Sequence, residues 1–214
     1  NTPPGPSLRS APAGRTLVAW RNGSEHETPD DGYIEAVVST DGGLTFGSPY
    51  TVYNPADDAR DPSLATLSDG RIALSLFRYA AGVNYQCEVL FSSDDGATFG
   101  TPVIVSKHTD DATYGTHDYE KAACSAPVVE LSATHLILPV YMRDGSANWN
   151  AFAAHSTDSG ATFDDPVFIA TGGSKSWTEP WIVRDPATAR LHCWIRVDNL
   201  NDAYQCYSDS DGVE

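Results

Sequence analysis

Hydrophobic positions along this chain come in short runs. TLVAWR (16–21), YIEAVVS (33–39), RIALSLFR (71–78), YQCEVLFSS (85–93), HLILPVYMR (135–143) and LHCWIR (191–196) are rich in Val, Ile, Leu, Tyr and Phe, and clusters of Gly, Pro, Asn, Asp and Ser bound them. No stretch carries an apolar period of about 3.6 residues, so helices are not expected. Short β-rich runs with turn signals every ten or so residues predict an all-β protein.

The turns repeat. STDGGLTF (39–46), SSDDGATF (92–99) and STDSGATF (156–163) are copies of one phrase, and a degraded fourth, SDSDG, starts at Ser208. Their first residues lie 53, 64 and 52 positions apart, a spacing that signals repeated supersecondary units. The phrase has a turn mechanism: Ser and Asp side chains bond backbone groups, Gly accepts a positive φ, and Phe anchors the turn on the core. A second phrase precedes it in four copies: PSLRSAPAGRTLVAWR (6–21), PSLATLSDGRIALSLFR (62–78), PVVELSATHLILPVYMR (127–143) and PWIVRDPATARLHCWIR (180–196). From Pro to the final Arg the distance is 15, 16, 16 and 16 residues. With a third strand before each turn phrase and a fourth after it, each unit is a four-stranded antiparallel module, and such modules in series are propeller blades.

The predicted fold is therefore an all-β propeller in a single domain, with blades at roughly 1–54, 55–107, 108–171 and 172–214. The first module lacks an outer strand before it and the fourth breaks off inside its turn. An incomplete ring is expected, completed by further sequence or another chain; a self-closed four-bladed ring is the alternative. Antiparallel order places the turn phrases on one face and the hairpin ends on the other. The opposite rim then carries Arg21, Arg78, Arg143 and Arg196, together with Arg60-Asp61, Cys124-Ser125 and Glu179 where the blades begin. The loop 108–125 adds His117, Asp118 and Glu120, with Trp149 and Trp177 near.

Composition sharpens the meaning of that rim. The 214 residues include 29 acidic and 13 basic side chains, a net charge of −16. Such a field opposes nucleic acid and anionic membranes, so an anionic ligand needs a local Arg cluster that grips it against the global charge. The competing expectation for each Arg is pairing with a neighbouring carboxylate. No apolar run is long enough to span a bilayer, and the N-terminal NTPPGPSLRS has no signal-peptide core, so any targeting segment is expected to have been removed or never present. Cys87, Cys124, Cys193 and Cys206 lack metal-ligand spacing and the six His are scattered, so neither a metal nor a cofactor is expected. Cys193 and Cys206 fall on neighbouring strands, where a bridge and buried free thiols are equally compatible. Asn22-Gly23-Ser24 is a glycosylation sequon.

On these residues the chain resembles the sialidase (neuraminidase) family, whose turn phrase is called the Asp box and whose propeller has six blades. In EPWIVRDPATARLHCWIR, Glu179 and Arg196 match the family's Glu and its following triad Arg. In DGYIEAVVSTDGG, Asp31 takes the place of the acid/base Asp, with Asp30 its neighbour, and Arg21 resembles the Arg upstream. Two departures stand out: the family's first triad Arg is replaced by Pro4, a role Arg60 would have to assume, and the third Arg and the Tyr nucleophile would fall beyond residue 214. The resemblance implies a secreted or extracellular exo-glycosidase acting on terminal sialic acid or a similar anionic sugar. Glu179 would deprotonate the Tyr and Asp31 would protonate the leaving oxygen. Arg21, Arg60, Asp61, Arg196 and Trp177 would bind substrate. The alternatives are another Asp-box glycosidase using acids such as Asp61, and a non-catalytic propeller that binds glycans or protein.

Overall fold

Each repeated turn is fastened by the same bonds. The Oγ of Ser39, Ser92 and Ser156 accepts from the amide of Gly43, Gly96 and Gly160, each at 2.8 Å, and Ser208 does so from Gly212 at 3.0 Å. These glycines have φ between +80° and +91°, where a Cβ is strained. Asp41 accepts from Ser39 Oγ (2.6 Å), Thr45 N (2.9 Å) and Thr45 Oγ1 (2.6 Å), and Asp94 and Asp158 repeat the set. Hydrogen bonds from Thr98 and from Thr162 hold the carboxyls of Asp94 and Asp158 down to about 2. These aspartates fasten the turn.

The computed structural model describes residues 7–10, 15–25, 31–80, 84–111, 115–143 and 148–212. Pro4, Asp30 and the side chain of His117 lie outside the described residues. The first sheet runs β1 (Ser7–Ser10), β2 (Thr16–Asn22), β3 (Tyr33–Ser39), β4 (Tyr50–Tyr53) in that order, all antiparallel. The next comprises β5 (Asp58–Thr66), β6 (Ile72–Ala80), β7 (Asn84–Ser92) and the short β8 (Val103–Ile104). Segment 108–125 forms more structure than a loop: β9 (His108–Asp111) and β10 (Gly115–Asp118) make a hairpin, and β11 (Lys121–Ala123) follows. Because β11 pairs parallel with β7 and antiparallel with β13 (Leu136–Arg143), it splices the second and third modules into one nine-stranded sheet. The rest of that sheet is β12 (Val129–Glu130), β14 (Asn150–Ser156) and β15 (Asp164–Ala170). The final sheet is β16 (Trp177–Arg184), β17 (Leu191–Val197) and β18 (Asp202–Ser208). No helix among the described residues is long and apolar enough to cross a membrane.

The core is three seams between successive modules. Leu17, Ala19, Ile34 and Ala36 of the first meet Leu64, Ile72, Leu74, Leu76 and Leu90 of the second. Ala73, Cys87 and Val89 then meet Leu136, Leu138, Val140 and Phe152. Ile137, Ala151 and Ala153 meet Ile182, Leu191, Cys193 and Ile195. Strand alternation explains the order: one face of each second strand packs backwards and the other forwards. On the final sheet the forward face is open to solvent, exposing Trp181, Val183, Trp194 and Tyr207.

The turns close these seams. A Cβ on Gly96 would stand 2.7 Å from Leu17 of the first sheet, and one on Gly160 would overlap the Phe91 ring of the second module. Arg71 adds a bond to the Ser159 carbonyl at 2.9 Å and lies over Phe91. A Cβ on Gly43 would meet nothing within 4 Å, and Leu44 and Phe46 of that first turn are exposed where Phe163 is fully buried. Gly160→Ala should therefore cost about 2–4 kcal/mol, combining left-handed strain with overpacking, and Gly43→Ala only the strain of about 1–2 kcal/mol. Urea denaturation of both variants checks this; equal losses would refute the seam role of the turn.

Candidate active site

Register decides which arginines share a place. Counting from the residue paired with each turn Ser (Thr16, Ile72, Leu136, Leu191), Arg21 and Arg196 both come five residues later, Arg78 six and Arg143 seven. The expected ring of four equivalent arginines is thus two. Arg78 sits on the other face of its strand and is held by Glu88 (2.6 Å) and Asp57 (3.0 Å). Arg143 lies over the Trp149 ring.

Arg21 and Arg60 share one buried carboxylate. Asp58, wholly inaccessible to solvent, accepts from Arg21 Nε (2.8 Å), Arg21 Nη2 (3.0 Å) and Arg60 Nε (2.6 Å). Any Cβ on Gly32 would overlap Asp58 and Arg21, so the chain there must be glycine. Arg60 stacks 4.0 Å from the Tyr79 ring centre and is only 8% exposed. Its buried Nη2 has no hydrogen-bond partner. A buried, charged donor left open carries a cost that a bound acceptor would relieve.

Asp61 and Glu179 occupy matching positions in β5 and β16. Each precedes a Pro, each has φ +51°, and each lies inside a ladder irregularity, between Arg60 and Ser63 and between Thr178 and Trp181. A left-handed non-Gly residue costs on the order of 1–2 kcal/mol, and residues before Pro are restricted further. Such strain concentrates at functional sites. Glu179 grips Arg196 in bidentate fashion at 2.8 Å on both arms, and Arg196 Nη1 also binds Asp198 at 2.7 Å. Burial, followed by the Glu179 charge, pushes the Asp61 carboxyl up to about 6, against the pull of Arg60 and Arg21. Burial, then the charges of Asp61 and Glu179, also raises the Tyr141 hydroxyl. Acids from the second and fourth modules therefore meet in one electrostatic neighbourhood, around a buried Tyr.

The remaining candidates fall elsewhere. Asp31 is exposed, accepts weakly from the Ser24 amide (3.2 and 3.3 Å) and stands 4.0 Å from Arg21 Nη2. The hydrogen bond from Ser24 lowers its pKa, so it is poised as a charged carboxylate. Trp177 packs edge-on to Tyr204 and under Lys175, against the last seam, a packing role rather than an open stacking platform. Trp149, in turn, lies edge-on to Tyr141 and Tyr85. Cys124 is buried and its thiol donates to the Leu76 carbonyl. Two participants escape notice in the sequence: Asp58, whose one signal is an acid two residues before Arg60, and Tyr141, hidden in an apolar strand. Among the described residues no group of three or more His, Cys, Asp or Glu is placed to hold a metal ion.

No family model and no curated protein sequence matches the chain. Among solved structures it is similar to a protein of unknown function from Dyadobacter fermentans DSM 18053 (TM-score 0.80, 21% identity, 97% of this chain and 66% of that one). It is also similar to Trypanosoma rangeli sialidase (0.73, 14%, 98% and 36%) and to the intramolecular trans-sialidase from Ruminococcus gnavus (0.72, 15%, 97% and 68%). The fold is sialidase-like. The chain spans about one third to two thirds of the length of these neighbours, and at such identities the likeness is one of fold.

The raised Asp61 pKa ties folding stability to pH. Its unfolded value is ~3.9 and its folded value about 6, so the folded chain holds the extra proton between those limits and loses stability as pH rises through them. Asp61→Asn should remove up to ~3 kcal/mol of that decline between pH 4 and 7. Urea midpoints of both proteins across this range test it; parallel curves would show that Asp61 is not desolvated.

Proposed function

We propose that this chain contributes the carboxylate clamp and the acid/base groups of a sialidase-type exo-glycosidase, acting on terminal sialic acid or a similar anionic sugar of glycoconjugates. The observation that carries this reading is the partnerless Nη2 of Arg60, buried beside Asp61 on an acidic protein. Arg196 and Arg21, register equivalents on the fourth and first modules, would complete the grip on a carboxylate. Glu179, oriented by Arg196, would take the proton of a Tyr nucleophile, which the resemblance assigns to a position outside this sequence. Asp31 would protonate the departing glycosidic oxygen and then activate water. Asp61 would bind a sugar hydroxyl, and the Arg donors would hold the substrate carboxylate fixed beside the reacting centre.

A second assignment of the acid rests on Asp61, whose carboxyl is held near 6 while that of Asp31 is lowered. A general acid needs a proton at working pH, and Asp61 keeps one more readily.

Binding of sialic acid to this chain, followed by saturation-transfer NMR with galactose as the neutral control, tests the ligand class. Arg196→Ala should weaken the interaction roughly 10- to 100-fold, the worth of a charged hydrogen-bonded contact. A chain that ignores sialic acid, or binds both sugars alike, would overturn the anionic-sugar reading. Turnover of a fluorogenic sialoside by a protein carrying this chain distinguishes the acids. Asp31→Ala should cost on the order of 10²–10⁴ in rate. Retained activity there, with loss on Asp61→Asn, assigns the proton to Asp61.

A further inference from the structure

Away from the rim, two cysteines face each other across the outer hairpin. Cys193 on β17 and Cys206 on β18 are direct ladder partners and both are free thiols; the Cys193 thiol points to the Trp194 carbonyl at 3.8 Å. Cys193 is 4% exposed, whereas Cys206 is reachable from solvent. Both line a cavity of about 120 Å³ between the final sheet and β14–β15, bounded also by Phe168, Ile182 and Tyr207. We propose that Cys193 and Cys206 form a reactive dithiol, oxidised reversibly to a cross-strand disulfide by small disulfides such as oxidised glutathione.

The position fits the chemistry. Directly opposed residues of an antiparallel pair have Cα atoms roughly 4.5–5.5 Å apart, inside the range that a disulfide accepts. Cβ atoms of directly opposed residues stand roughly 4.5–5.5 Å apart, at or beyond the ~3.5–4.5 Å of a relaxed disulfide, so the bond forms with strain and is easily reduced again. Cys206 is the attacking sulfur: the neighbouring Cys193 thiol lowers its pKa to about 7, while that of Cys193 is raised. The Cys206 thiolate attacks one sulfur of the glutathione disulfide; that S–S bond breaks and a glutathione thiolate leaves. Cys193 then gives up its proton and attacks Cys206 Sγ, expelling the second glutathione. Two electrons pass from the protein to the glutathione disulfide, and two molecules of reduced glutathione result.

Cys87 and Cys124 provide an internal control. They too are neighbouring thiols, but both are wholly buried, and a thiol that no oxidant reaches stays inert.

The intact chain, treated with oxidised glutathione at neutral pH and mapped by non-reducing peptide mass spectrometry, should show Cys193 joined to Cys206 with the loss of two hydrogens. Dithiothreitol should reverse the link. Iodoacetamide should label Cys206 at least about tenfold faster than Cys87 or Cys124. Cys193→Ser should trap glutathione on Cys206, and Cys206→Ser should leave Cys193 unmodified; a thermal melt confirms that each variant is folded. Glutathione persisting on Cys206 of the unaltered chain without a Cys193 link, or labelling no faster than at the buried pair, overturns the proposal.

Discussion

The Ser-to-Gly fastening of the repeated turn is the constraint on which the rest of the structure depends. It forces a glycine into the left-handed region, and at Gly96 and Gly160 it does so where the preceding module's side chains leave no room for a Cβ. The same bond that closes the turn therefore sets how near two modules come. Module spacing decides whether acids on β5 and β16 sense one another, as Asp61 and Glu179 do. The chemistry on one rim is thus positioned by hydrogen bonds on the other.

A chain with a net charge of −16 repels anions at long range, yet its rim gathers guanidiniums around a buried carboxylate. Asp58 offsets part of the charge of Arg21 and Arg60 and so lessens the repulsion between two cations that share it. It uses the Nε of each and leaves Arg60 Nη2 free. Arg196 is bound twice, by Glu179 and Asp198, so its orientation is set before any ligand arrives.

Much of this was legible in the sequence because strand and turn chemistry is local. The turn phrases, the hairpins and the pairing of the strands that carry Cys193 and Cys206 all follow from residue type and spacing. Register was less so. Measured from the repeated Pro, Arg21, Arg78, Arg143 and Arg196 look equivalent; measured from the turn Ser, the hairpins differ by one or two residues, and each single step reverses the face. Asp58 and Tyr141 were invisible because their importance is burial, which depends on contacts between modules. The motif assigns the acid to Asp31, whose exposure and bond from Ser24 favour its charged form in the folded chain.

Asp61 and Glu179 have one more consequence. Each is flanked on both sides by paired strand residues, so the left-handed turn at each is clamped within a sheet instead of swinging at a loop tip. A ligand that meets groups already fixed in place surrenders little of its affinity to ordering the protein. Selectivity on such a surface then comes from shape: a molecule whose charges are spaced differently finds nothing that will move to accommodate it.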